Sequence, residues 1–178
     1  MPAYDPDSEG DGRYVASFVE AAADVSPVFE RRVEAVFDEV LGGADTDEWY
    51  RTGDIVTAFE RLEQEAGEKT MEKGGRAAAK AVPWPDGVAG VEERLAFLDD
   101  AHRDAYRDSE MDAPGGGYTF ESTGDRSARV GLTDAYPYPD SFGRGAFKGV
   151  VDTTVGTMPV LEHVSSRDGE RSAWKMEW

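Results

Sequence analysis

Few side chains in this 178-residue sequence could act as base, nucleophile or metal ligand near neutral pH: it has two histidines, His102 and His163, and no cysteine. The missing thiol excludes disulfides, thiolate-bound zinc, Fe–S clusters and cysteine nucleophiles. A Ser-His-Asp triad would have to draw on one of the two histidines, and no G-x-S-x-G elbow presents a serine. Gly143-Arg144-Gly145-Ala146-Phe147-Lys148-Gly149 looks like a phosphate cradle, yet its last spacing is one residue too long and a proline-rich loop, not a strand, precedes it. It reads better as a helix whose Gly145 and Gly149, one turn apart, let it lie close on a sheet. Gly67-Glu68-Lys69-Thr70 ends like a P-loop but lacks the upstream glycine and strand. With 37 Asp and Glu, close carboxylate pairs arise by number alone and do not mark a glycosidase.

His102 stands apart because it falls on the apolar stripe Val91, Leu95, Leu98, His102 and Tyr106, spaced four, three, four and four residues apart, which turns the imidazole toward a core. Such a histidine is either a satisfied core residue or a ligand to haem or metal. His163 alternates against Val160, Glu162 and Val164 in a strand-like run and should face away from them. Tyr106, Tyr118, Phe120, Tyr136, Tyr138, Phe147, Trp174 and Trp178 form a large aromatic set. It makes either a plain core or a ligand cavity with polar handles.

The elements that must position these groups follow from periodicity. Val15, Phe18, Val19 and Ala22 mark a first helix, and Ser26-Pro27 then offers an N-cap with proline at the first helical position. Phe29, Val33, Val36, Phe37, Val40 and Leu41 carry the second helix to Gly42-Gly43. A third uses Ile55, Phe59 and Leu62, and Thr70 can cap a fourth whose Gly74, Gly75, Ala77, Ala78 and Ala79 predict close packing on another backbone. A fifth is predicted from about Val88 to Arg107. After Gly115-Gly116-Gly117 the period becomes twofold: a strand with Tyr118, Phe120 and Ser122 on one face, then one with Ala128, Val130 and Leu132 inward. The loop Tyr136-Pro137-Tyr138-Pro139 leads to Asp140 or Ser141, either a cap for a helix carrying Phe142, Ala146, Phe147, Val150 and Val151. A closing hairpin puts Ser172, Trp174, Met176 and Trp178 on one face. The predicted fold class is α+β: N-terminal helices on a four-stranded antiparallel sheet, strands and helix ordered strand-strand-helix-strand-strand. Residues 1–11 are expected to be a flexible acidic leader and 12–178 one domain.

A formal charge of −18, with only 5 of the 19 basic residues lysine, is spread along the chain and predicts an acidic surface suited to concentrated salt. It argues against generic nucleic-acid or anionic-membrane binding. No apolar run is long enough for a membrane span and no signal peptide is visible, so the expected location is cytoplasmic.

Several motifs, in order, resemble the superfamily of 4-vinyl reductase domains and haem nitric-oxide-binding sensor domains, of a haloarchaeal type. Ala66-Gly67-Glu68-Lys69-Thr70-Met71-Glu72-Lys73-Gly74-Gly75-Arg76 resembles its G-x-x-T-L-x-x-I-G segment, and Leu98 to Arg107 resembles the helix leading to the glycine turn. Pro137 to Gly145 and Arg167 to Trp178 resemble the proline loop and last hairpin, so the likeness spans about residues 49 to 178. It implies a non-enzymatic sensor holding a small apolar or haem-like ligand between a helix and the sheet, lined by His102, Tyr106, Phe120, Tyr138, Phe147, Trp174 and Met176. A homodimer and a separate output protein are implied partners. Cysteines of vinyl-reductase relatives are replaced at Asp140, Ser166 and Ser172, so no thiolate metal site is expected. Haem-binding relatives use a histidine on the helix before the sheet and a Tyr-x-Ser-x-Arg motif for the propionates. His102 suits the first, whereas Tyr138, Ser141 and Arg144 are spaced by three. The alternatives are a haem-dependent gas sensor using His102 and a protein-interaction domain with a closed pocket.

Overall fold

Ser26 ends one helix and begins the next. In the computed structural model, which describes residues 2–178, its N–H closes α1 (Gly12–Val25) on the Ala22 carbonyl while its hydroxyl accepts from the Phe29 N–H at the start of α2 (Pro27–Leu41). Gly42, at φ 77°, stops α2 in the left-handed conformation that glycine adopts without strain. Gly67 plays both parts between α3 (Thr52–Ala66) and α4 (Glu68–Lys80), so Thr70 lies inside α4 rather than capping it. Such one-residue joints fold the four helices back on one another around Phe18, Phe29, Phe37, Phe59, Leu62 and Met71.

α5 is shorter than its apolar stripe predicts. It runs Val91–Arg103, its start fixed by the Glu93 carboxylate accepting from the Ala89 and Gly90 N–H groups. Tyr106–Arg107 leaves the helix as β3 and pairs with β1 (Glu9–Asp11), which also pairs with β2 (Trp49–Arg51). No local period in the sequence predicts this three-stranded sheet, order β2-β1-β3. It corrects the expected loose leader: Ser8 is buried against Thr52, Asp5 bonds Pro114 and Ser109, and the Asp11 carboxylate caps α1.

The larger sheet comprises β4 (Tyr118–Gly124), β5 (Ser127–Thr133), β6 (Val160–Val164) and β7 (Glu170–Glu177), antiparallel in the order β4-β5-β7-β6. Val130 sits between Phe120 and Trp174, and Leu132 between Tyr118 and Ser172, so the alternation read from sequence places Ala128, Val130, Leu132, Trp174 and Met176 in the core. His163 lies opposite Trp174 on that same face but at the exposed β6 edge. The outer face is polar, with the Arg129–Glu170 pair across its middle.

α6 (Asp140–Val155) connects the two hairpins, and neither Asp140 nor Ser141 caps it: the Asp140 carboxylate is bound by Arg171 and Ser172, and the Ser141 hydroxyl by Glu63. Gly145 and Gly149 face α4 rather than the sheet. A Cβ on Gly145 would lie 2.1 Å from the Glu72 carbonyl oxygen, and one on Gly75 2.1 Å from that of Phe142. The backbones touch, as the small residues of α4 predict. Glu72 with Arg144 and Lys148, and Asp152 with Arg76 and Lys80, flank the crossing. No helix among the described residues is long and apolar enough to cross a membrane.

Candidate functional site

Between the helical core and the sheet, α5, the glycine turn and the proline-rich loop converge on His102. Asp99 on α5 accepts from the Tyr118 N–H at 2.7 Å and pairs with Arg103 one turn on, which fixes the start of β4 against the helix. The turn then passes so close that a Cβ on Gly115 would lie 2.2 Å from the Tyr106 ring. Its carbonyl meets His102 Nε2 at 2.8 Å. A carbonyl only accepts, so Nε2 carries the proton and the lone pair is on Nδ1.

Four phenol rings enclose the imidazole. Tyr136 stacks on it at 5.3 Å, Tyr106 and Tyr118 meet it edge-on at 5.3 Å, and Tyr138 does so at 6.1 Å. The hydroxyls pair off: Tyr106 donates to Tyr138 at 3.1 Å, and Tyr118 and Tyr136 share a bond at 3.3 Å. Burial pushes His102 down to about 4 against the partial support of the Gly115 bond, and pushes Tyr138 up to about 12. Tyr118, Tyr106 and Tyr136 are raised by the same desolvation. The chamber is therefore uncharged at neutral pH.

The proline-rich loop is pinned from β7. Arg171 donates to the carbonyls of Tyr136 and Tyr138, each at 2.6 Å, and to the Asp140 carboxylate at 2.5 Å, while its guanidinium lies 5.6 Å from the Tyr136 ring centre. On the helical side the Tyr138 ring packs against Phe59 at 4.8 Å and Phe142 at 5.9 Å.

Of the residues singled out from sequence, His102, Tyr106 and Tyr138 come together. Phe147, Trp174 and Met176 lie in the adjoining sheet core, reached through Tyr118, whose ring meets Phe147 at 5.5 Å as Phe147 meets Trp174 at 6.2 Å. Phe120 packs at the margin of that core. Tyr118 and Tyr136 belong to the chamber as well, signalled in the sequence only by the inward alternation of Tyr118 and the Tyr-Pro repeat that Tyr136 shares with Tyr138. Two solvent-open clefts, of about 720 Å³ beside Leu41 to Tyr50 and about 300 Å³ between α2 and α3, lie away from the chamber. Among the described residues no cluster of His, Asp and Glu could hold a metal ion.

No family model and no curated protein matches the sequence. Solved structures do match along nearly the whole chain. A haem protein from work on modulating heme redox potential through protein-induced porphyrin distortion is 14% identical, covering 94% of this chain and 99% of its own, with a TM-score of 0.66. The Fe(II) unliganded H-NOX protein from K. algicida is 13% identical over 94% and 95%, with a TM-score of 0.63. An oxygen-binding H-NOX domain related to soluble guanylate cyclases, in its oxygen complex, is 15% identical over 93% and 92%, with a TM-score of 0.59. The chain has the H-NOX fold.

Proposed function

We propose that this chain is a non-enzymatic sensor domain on the H-NOX fold, whose ligand site is the chamber between α5 and the four-stranded sheet and whose ligand is small and largely apolar. The observation that carries this reading is the enclosure of one neutral imidazole by four tyrosine rings at the junction of the helical and sheet cores. Ring faces supply apolar area, and hydroxyls and imidazole supply orientation. No group there changes charge near pH 7, because burial holds the imidazole down and the phenols up. Acid–base turnover wants the opposite. Ligand-dependent movement of α5 or the proline-rich loop would report occupancy, provided the two positions differ in ligand affinity. The output passes to a separate protein in the cytoplasm, with a homodimer as the sensing unit.

Haem, which the similar structures hold, suits these residues poorly. It needs an imidazole lone pair aimed at iron, room for a macrocycle, and cations or donors for its propionates. The Gly115 bond fixes the His102 ring through Nε2 and leaves only Nδ1 with a lone pair, and the Tyr138 ring stands between Phe59 and His102. At the spacing of Tyr-x-Ser-x-Arg the loop carries Tyr136, Tyr138 and Asp140, a carboxylate where the motif has a cation. These residues do not fit the group.

Native mass spectrometry of protein purified in high salt, followed by organic extraction, tests the reading. A co-purified small molecule lost in His102→Ala is expected; bare chain throughout, with nothing extractable, overturns it. A second reading, an interaction domain with a closed chamber, is favoured by the exposed Val155, Met158 and Val160 (42%, 46% and 61%) beside the open β6 edge.

A further inference from the structure

Tyr138 is the one side chain, among the described residues, packed against both the helical and the sheet clusters. Its ring lies 4.8 Å from Phe59 and 6.1 Å from His102, and its hydroxyl bonds Tyr106. Yet it belongs to no helix or strand. Pro137 and Pro139 flank it and lack the N–H groups that would tie the loop to neighbours. The loop's attachment is Arg171, gripping the Tyr136 and Tyr138 carbonyls and Asp140, with Ser172 bonding the same carboxylate. A half-buried ring is thus carried on a strap whose fastening is nearer the surface: the Arg171 side chain is 35% exposed and that of Asp140 42%.

We propose that the place held by the Tyr138 ring is a binding slot for a single-ring phenol, closed in this state by the protein's own side chain and opened when Arg171 releases the loop. This rests on the chamber being the ligand site and names the ligand class. The slot is the size of one phenyl ring, bounded by the Phe59 ring, tilted to it at 4.8 Å, and by the His102 ring, edge-on to it at 6.1 Å. A ligand hydroxyl would take the Tyr138 position on Tyr106, where a hydrocarbon ring would leave that buried group unpaired. Charge also selects. A carboxylate on the ring would be set among phenols and a neutral imidazole, while the nearest guanidinium, Arg171, is engaged outside the slot by the loop carbonyls and Asp140, so the neutral phenol is preferred over a benzoate.

In wild type the intramolecular ring competes with the ligand, so the affinity for free phenol is reduced by the fraction of molecules with the strap open. Weakening the fastening raises that fraction without carving a cavity. The test is titration of the full chain in high salt with p-cresol, toluene and benzoate, followed by proton NMR and calorimetry. Arg171→Met, which keeps every ring, is expected to bind p-cresol at least about tenfold more tightly than wild type, because it loses charge-assisted bonds that hold the strap. Tyr138→Ala, which removes the competitor, is expected to bind more tightly still, with p-cresol preferred over toluene and benzoate in both variants. Equal affinity of Arg171→Met and wild type overturns the proposal, as does a preference for toluene. Because Arg171→Met keeps the chamber filled, it remains a test even where Tyr138→Ala does not fold. A non-aromatic co-purified ligand would overturn the phenol assignment and leave the sensor reading standing.

Discussion

At the scale of single residues, His102 links burial to pH. Its folded value of about 4 lies below the 6.5 of a free imidazole, so between those values the unfolded chain binds the proton first and stability falls as pH is lowered. The contribution is complete above about pH 6.5 and amounts to at most about 3 kcal/mol over the window. Comparing melting temperatures of wild type and His102→Phe from pH 7.5 to 4.5 isolates it, since the carboxylates titrate alike in both. Wild type should lose more stability than the variant across that range; parallel curves would mean that the imidazole charges freely in the fold. His102 was legible in the sequence because a helical stripe pointed it inward. Its partners were less so. Tyr118 and Tyr136 meet it only after a strand, a tight glycine turn and a proline loop are folded together, and Arg171, which pins that loop, comes from a hairpin more than thirty residues further along the chain.

At the scale of elements, the sequence conveyed helices and inward strand faces but not the ends and neighbours that depend on distant contacts. α5 stops at Arg103 because the chain beyond it is claimed by β1, an interaction nearly a hundred residues away in sequence that no local period encodes. The small residues of α4 and α6 did announce close packing, though the sheet was the wrong partner. Their contact sets a strict limit on size: Gly75→Ala puts a methyl 2.1 Å from a backbone carbonyl oxygen that cannot rotate away. The helices must part, and the expected loss is about 1–3 kcal/mol or more by chemical denaturation. Gly87→Ala lies at φ 92° with open space around it, and its cost is local backbone strain without an effect on the crossing. Disulfide trapping or hydrogen exchange at α6 separates the two: faster exchange along α6 is expected for Gly75→Ala alone. Unchanged exchange there would show that the α4 and α6 backbones can separate at no cost.

At the scale of the whole molecule, two effects of salt oppose each other. Chloride screens the ion pairs that flank the α4–α6 crossing, Glu72 with Arg144 and Lys148 and Asp152 with Arg76 and Lys80, and this destabilises. It also screens the mutual repulsion of acids. Even with every basic residue matched to an acid, a formal charge of −18 remains, and these charges crowd a folded surface while an unfolded chain spreads them apart. These partly exposed pairs contribute on the order of 1 kcal/mol each, so relief of repulsion by an excess of 18 charges is the larger effect. The melting temperature should therefore rise as potassium chloride is raised from about 0.1 M to 1 M, where the Debye length shrinks from about 10 Å to 3 Å, and then level off. Potassium sulfate at equal ionic strength distinguishes screening from exclusion of salt from apolar surface: screening gives coincident curves below about 1 M, and exclusion gives a steeper one in sulfate. A melting temperature that falls with chloride would mean that the pairs, not the excess acid, dominate the surface.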